Sequence, residues 1–366
     1  MKVAITHDWI TGMAGAERVL QSLLEIWPGA DVYTSRFDSK KAPEFKKYKV
    51  ITSFLNRPPF SWIPHQMLPQ LRPLGFESFD LSGYDLVISS SHAESKSVIT
   101  GPQTLHISYC HTPTRYYWAD YHWYIKNPRY ALLNPLVKLF MPLVISDLRL
   151  KDFAASDRVD VFIANSSYVA AQIHKFYRKQ AVVIHPPVDV GRFKVTQAAD
   201  YYVVVSRLVP YKRIDLAVAA ASELKLKLKV VGRGSELKKL EKLAGGAVEF
   251  ISDAQDSDVT KIIEGARALI FPGKEDFGIA PLEAMAAGKP VIAYQGGGAL
   301  DYVIEGKTGV LFKDQTVSGL SGAIKVFEGI EWDSEQISKY ARNFSCDRFK
   351  KQIKSFIESE LDKFYA

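Results

Sequence analysis

The sequence predicts an α/β protein built of two doubly wound, Rossmann-like domains. Compact apolar runs alternate with helical patterns along the chain, as parallel βαβ units require. The 366 residues suit two domains at ~100–200 residues each. A composition of 47% hydrophobic and 24% charged residues lets such a chain bury two cores without disulfide staples.

The first run, Lys2–Thr6, reads as a strand entering a loop with Gly12 and Gly15. Val19, Leu20, Leu23, Leu24 and Trp27 follow at helical spacing. Tyr84–Ser89, Leu105–Tyr109 and Asp160–Asn165 are further buried strands, the last leading into a helix from Tyr168 to Tyr177. The break between domains falls near His185-Pro-Pro-Val-Asp189. Beyond it, strands are expected at Tyr201–Val205, Leu228–Val231, Val248–Ile251, Ala268–Phe271 and Pro290–Tyr294. Helices are expected between them at Ile214–Leu224, Glu236–Ala244 and Ile279–Ala287. The domains are thus 1–188 and 189–344. In the tail 345–366, Phe349, Ile353, Phe356, Ile357 and Leu361 line one face of a helix that crosses back to the first domain.

Two cysteines, Cys110 and Cys346, make neither a disulfide framework nor a four-cysteine zinc site. The opening MKVAITHDW carries no sustained apolar stretch of a signal peptide. The apolar run Leu139–Ile145 is interrupted by Pro142 and far shorter than the ~20 residues of a spanning helix. A cytoplasmic location is expected. The net charge of +7 favours anionic partners. No RNA- or DNA-binding signature accompanies it, so nucleic acid is not expected. Between Arg115 and Leu150, Tyr116, Tyr117, Trp118, Tyr121, Trp123, Tyr124 and Tyr130 stand among basic residues. They read either as a packed helical subdomain or as a lipid-facing or acceptor-facing surface.

The most specific signal is Glu275-Asp-Phe-Gly-Ile-Ala-Pro-Leu-Glu283, between a buried strand and a helix. Such a loop aims backbone N–H groups and a helix N-terminus at a diphosphate, and its two carboxylates can each accept from vicinal hydroxyls. Ser206-Arg-Leu-Val-Pro-Tyr-Lys-Arg213 sends Arg207 and Lys212 from one loop, two cations able to neutralise a leaving diphosphate. Gly232-Arg-Gly234 closes a strand and permits close approach by a base or ribose. Thr11-Gly-Met-Ala-Gly-Ala-Glu17 lacks the G-x-G-x-x-G spacing of a dinucleotide site. His111, in Tyr109-Cys-His-Thr-Pro-Thr-Arg115, follows a strand and faces its carboxyl end. Asp256-Ser-Asp258 matches the D-x-D of metal-dependent transferases, but it precedes a helix over Val259–Gly265 and reads as an N-cap. No required metal is expected.

These motifs resemble retaining glycosyltransferases of the GT-B architecture, family 4, and among them bacterial GDP-mannose-dependent mannosyltransferases of surface polysaccharide synthesis. The nonapeptide is similar to the family's E-x7-E. That resemblance implies that Glu283 binds the ribose, Glu275 holds hydroxyls of the transferred sugar, and the amides around Phe277, Gly278, Ile279 and Ala280 face sugar and diphosphate. Arg207 and Lys212 match the R-x4-K clamp, and the loop carrying Gly15 is similar to the one over donor phosphate and acceptor. The His111 stretch is similar to a Y-x-H-T-P-x-R segment whose histidine lies by the sugar at the reaction centre; Asp8, in His7-Asp8-Trp9, would help position the acceptor. Arg233 and Ser235 depart from the pattern near Gly232, where the family usually has an acidic residue and proline, and leave the base open. The resemblance implies a nucleotide-sugar donor, GDP-mannose, no further cofactor, a polyprenyl-diphosphate-linked glycan acceptor, and peripheral attachment at the inner face of the plasma membrane. With the cationic loop in one domain and His111 in the other, closure over the donor is expected. A UDP-sugar donor, a nucleotide-sugar epimerase on the same scaffold, and a non-catalytic basic module at the membrane are the alternatives.

Overall fold

The computed structural model describes residues 1–126 and 134–366. The chain divides into two units, one of residues 1–185 with 350–366, the other of residues 186–349. Unit 1 runs β1 (Val3–His7), α1 (Gly15–Ile26), β2 (Asp31–Thr34), β3 (Val50–Thr52), α2 (Leu71–Glu77), β4 (Leu86–Ser91), β5 (Leu105–Cys110), α3 (Tyr121–Lys126), α4 (Asn134–Asp157), β6 (Val161–Ala164), α5 (Ser167–Tyr177) and β7 (Ala181–Val183). Among the described residues these strands make a seven-stranded sheet, β3-β2-β1-β4-β5-β6-β7, and its paired strands are parallel.

Unit 2 runs β8 (Tyr202–Val205), α6 (Ile214–Glu223), β9 (Leu228–Val231), α7 (Leu237–Leu243), β10 (Val248–Ile251), α8 (Asp256–Glu264), β11 (Leu269–Phe271), α9 (Ala280–Ala286), β12 (Val291–Tyr294), β13 (Gly309–Phe312), α10 (Val317–Glu328) and α11 (Ser334–Ala341). Its sheet, β10-β9-β8-β11-β12-β13, is again parallel at every pairing. The last helix, α12 (Cys346–Tyr365), starts in unit 2 and continues as part of unit 1.

The strands are short and apolar because both faces of each sheet are covered, leaving no solvated face that would demand alternation. In unit 2, Val203, Val231, Leu269 and Val291 point to one core with α9 and α11. Their neighbours Tyr202, Val204, Val230, Ile270 and Ile292 point to the other, with α6 and α10. Helix starts are written locally: Ser166, Thr316 and Asp333 accept from the backbone N–H of Val169, Gly319 and Gln336 at 3.1, 3.1 and 3.0 Å.

Helix α4 runs through Pro142. The structure revises two readings. Helix α8 begins at Asp256, with Gln255 as its N-cap and the Asp258 carboxylate accepting from the Gln255 N–H at 3.3 Å, so the D-x-D forms the helix's first turn. Strands β2, β3, β7 and β13 add to those expected from the sequence. Tyr130 lies outside the described residues, and among those described no helix is long and apolar enough to cross a membrane.

Candidate active site

In an open α/β sheet, ligands bind beyond the carboxyl ends of the strands where strand order reverses. In unit 2 that point lies between β8 and β11. Strand β8 feeds the Arg207–Lys212 loop and β11 feeds the Glu275 loop, so the sheet itself gathers these side chains. The Lys212 ammonium is ion-paired with the Glu275 carboxylate, the two side chains only 12% and 13% exposed. Two groups assigned to different parts of the donor therefore hold each other. Arg207 is exposed and donates from Nη2 to the Tyr211 hydroxyl at 3.0 Å.

Two glycines brace this platform. At Gly232, φ is +138° and a Cβ would lie 1.9 Å from the Ser206 carbonyl oxygen. The missing side chain at Gly232 thus lets the neighbouring Arg207 loop pack closely. At Gly297, φ is +72° and a Cβ would lie 2.2 Å from the Glu275 carbonyl oxygen, to which the Gly298 N–H donates at 2.9 Å. Phe277 is buried in the core, and its carbonyl accepts from the Tyr302 hydroxyl at 2.8 Å. Gly278 and Ile279 are half-buried and lead into Ala280, the first residue of α9.

Glu283 is 6% exposed on α9 and accepts from Arg192 Nη2 at 2.9 Å. Arg192 also stands 3.9 Å from the Asp256 carboxylate. Sequence reading missed Arg192; its only signal was a basic residue just after the interdomain break.

In unit 1 strand order reverses between β1 and β4. The carboxyl ends there carry His7-Asp8, Ser90-Ser91-His92 and, from β5, His111. Asp8 is fully buried; its carboxylate accepts from the backbone N–H of His92, Ala93 and Ser95 at 2.7, 3.0 and 2.7 Å and pairs with His92 Nδ1 at 3.0 Å. It clamps the loop after β4. Burial alone would raise the Asp8 carboxyl, but the charge and hydrogen bonds of His92 overcome that and hold it far below the carboxylate range. Reciprocally, burial would lower His92, and Asp8 raises it.

His111 shares its Nε2 with the Ser90 hydroxyl at 2.9 Å. Its N–H donates to the Ser91 carbonyl at 2.8 Å and its carbonyl accepts from Asn165 Nδ2 at 2.9 Å. Burial, then the nearby charge of His92, push the imidazole well below its ordinary range, so it is neutral. Gly15 opens α1, whose capping box has the Ala14 N–H donating to Glu17 at 3.0 Å.

The aromatic stretch turns inward. Tyr116 and Tyr117 donate to the Glu94 carboxylate at 2.9 and 2.8 Å, and Glu94 pairs with Arg72 at 3.1 Å. Trp118 Nε1 and the Tyr177 hydroxyl both donate to Asp152 at 2.7 Å, and Lys96 pairs with the same carboxylate at 2.5 Å. Of the two readings of this region, the packed subdomain describes Tyr116, Tyr117 and Trp118.

Residues 13–192 match the family model described as Glycosyltransferase Family 4, and residues 192–344 the model described as Glycosyl transferases group 1. An uncharacterised glycosyltransferase of Methanocaldococcus jannaschii is 26% identical over 57% of this chain and 62% of its own. The GDP-mannose-dependent alpha-(1-6)-phosphatidylinositol monomannoside mannosyltransferase of Mycolicibacterium smegmatis is 30% identical over 45% of this chain and 52% of its own. The chain thus spans little more than half the length of these relatives. The Anabaena protein HepE, solved in complex with UDP, superposes with a TM-score of 0.69 at 17% identity, covering 98% of this chain and all of that one. With both sheets shared and a glycosyltransferase model matched on each half, the chain belongs to the GT-B glycosyltransferases of family 4.

Proposed function

We propose that the protein is a retaining, metal-independent hexosyltransferase that moves mannose from GDP-mannose to a hydroxyl of a lipid-linked glycan at the inner face of the plasma membrane. The observation that carries this reading is the meeting of Arg207, Lys212 and Glu275 at the switch point of unit 2, with Glu283 buried on the helix that follows. Glu283 takes the ribose hydroxyls and Glu275 those of the sugar. Lys212 and Arg207 take the diphosphate, whose charge grows as the bond to the anomeric carbon breaks; fixed cations there stabilise the transition state more than the ground state. The acceptor oxygen bonds to the same face of that carbon, and its proton passes to a departing diphosphate oxygen. His111 and the loop at Gly15 are the candidate carbohydrate contacts of unit 1.

Relatives named as mannosyltransferases support mannose, and the net charge of +7 supports an anionic membrane surface. Leu143 and Leu150, 71% and 70% exposed on α4, add apolar side chains to that surface. The UDP bound to HepE supports the alternative donor.

The test is a thermal-shift panel with GDP, UDP, ADP and their sugars in EDTA. Selective stabilisation by GDP and GDP-mannose supports the proposal. Stabilisation by UDP compounds keeps the transferase and discards mannose. Binding only with Mg²⁺ or Mn²⁺ refutes metal independence, and no binding at all leaves a non-catalytic module. A nucleotide sugar consumed without an acceptor, with the epimeric sugar formed, identifies an epimerase.

A further inference from the structure

Three strands of unit 1 end side by side with polar side chains that form one file. The β1–β4 register sets His7 opposite Ser90. The β4–β5 register sets Ser91 opposite Cys110, which delivers His111 beside Ser90. The Ser90 Oγ lies 3.1 Å from His7 Nδ1 and 2.9 Å from His111 Nε2. On the far side, His7 Nε2 stands 3.8 Å from the Glu17 carboxylate. His7, Ser90 and Glu17 are 0%, 0% and 6% exposed.

A hydroxyl has one proton, so Ser90 can donate to only one of the two imidazoles and must accept from the other. The file therefore has two directions, and Glu17 selects between them. Its carboxylate attracts the His7 proton to Nε2, which leaves Nδ1 bare. Ser90 then donates to His7 Nδ1, and His111 Nε2–H donates to the Ser90 oxygen. The remaining nitrogen of His111, Nδ1, carries a lone pair. The hydrogen bond from Asn165 to the His111 carbonyl fixes the backbone on which that ring turns.

We propose that Glu17, His7 and Ser90 are positioning residues that lock His111 as its Nε2–H tautomer, so that His111 Nδ1 accepts a hydrogen bond from a hydroxyl of the bound carbohydrate. The statement about the hydroxyl rests on the transferase reading above; the tautomer stands on this geometry alone. A histidine so held favours a substrate with a hydroxyl at that point and rejects its deoxy analogue, because the bare nitrogen would be buried without a donor.

The experiment is nitrogen NMR of the full chain labelled with [15N]histidine at pH 7.5, the His111 signals being identified by their loss in His111→Gln. The expected result is a single neutral tautomer with the proton on Nε2. In Ser90→Ala and in Glu17→Gln, which keeps an oxygen for the Ala14 cap, both tautomers are populated. Ser90→Cys replaces Ser90→Ala if alanine lowers the thermal midpoint. Transfer from GDP-mannose is expected to fall about ten-fold in kcat at unchanged donor KM, the loss of one oriented contact. A wild-type His111 protonated on Nδ1, or a tautomer unmoved by both variants, overturns the proposal. A shifted tautomer with unchanged kcat overturns the positioning role. The expected tautomer pattern in a protein that turns over neither GDP-mannose nor UDP-glucose supports the lock and sinks the transferase reading instead.

Discussion

Replacing Arg72 by methionine removes a guanidinium while keeping much of its apolar volume. Arg72 is 4% exposed and Glu94 2%, with 3.1 Å between charges. At an effective dielectric of ~20 that separation is worth about 5 kcal/mol. Burial raises the Glu94 carboxyl, and the Arg72 charge and the Tyr117 hydroxyl pull it back toward ionisation. Without Arg72 the carboxylate keeps the Tyr116 and Tyr117 hydroxyls and the weaker attraction of Lys96. Breaking one side of such a pair costs about 3–5 kcal/mol, and we expect Arg72→Met to lose that much at pH 7.5. The loss should centre on unit 1, read as a lower urea midpoint and faster hydrogen exchange over residues 114–118. Two further arms check the cause. Glu94→Gln in the same chain should restore at least half of the loss. Lowering the pH to 5.5 should narrow the deficit, because a folded-state carboxyl raised above its unfolded value takes up protons on folding and so gains stability as pH falls. A deficit under about 1 kcal/mol, or one that Glu94→Gln leaves unchanged, would refute the reasoning.

His106, fully buried, is pushed down to about 4 from 6.5, chiefly by burial. The unfolded chain therefore takes the proton first. Stability is full above pH 6.5, declines by about 3 kcal/mol down to pH 4 and then levels; His106→Gln should flatten that part of the urea-midpoint profile. Gly297→Ala should destabilise unit 2 by at least about 2 kcal/mol, because a Cβ would strike the Glu275 carbonyl in a left-handed backbone. Calorimetric titration with GDP should show weakened binding as well. In Lys212→Ala, GDP affinity should fall at least ten-fold while GMP affinity falls less; equal losses for the two would remove Lys212 from the diphosphate. The Arg207→Ala, Lys212→Ala pair should abolish transfer while the circular dichroism spectrum shows the fold retained.

Burial on both faces made the central strands legible. Val203, Val230, Ile270 and Ile292 belong to runs that no helix-period pattern could claim. The strands missed lie at or toward the sheet edges and are short: β3 and β7 have three residues each, and β2 opens on Asp31. Local sequence carries little signal at β2, β3 and β7, because pairing within the sheet rather than a long apolar run creates the strand. The site divides the same way. Glu275, Glu283, Arg207 and Lys212 lie in short motifs, so spacing exposed them. The partners Arg192 and Ser90 did not show, since Arg192 is 91 residues from Glu283 and Ser90 83 from His7. Only the strand register brings His7, Ser90 and His111 into line, and register is a property of the folded sheet. The serine run Ser89-Ser90-Ser91, closing an otherwise apolar strand, was the available hint.

The two units differ in how their pieces lie along the chain, and that bears on synthesis. Unit 2 is one continuous segment, whereas unit 1 is split, its last piece being residues 350–366. There Ile353 and Ile357 are fully buried, Lys350 pairs with Glu25, and the Tyr365 hydroxyl reaches the carbonyls of Asp85 and Gln103 at 3.1 and 2.9 Å. A ribosome adding ~5–20 residues per second needs roughly 8–30 s to cross the intervening segment. Through that interval the first sheet is already made but lacks its closing helix. The later-encoded unit can finish folding before the earlier one, and the nascent chain carries an uncovered apolar seat that is a natural chaperone target.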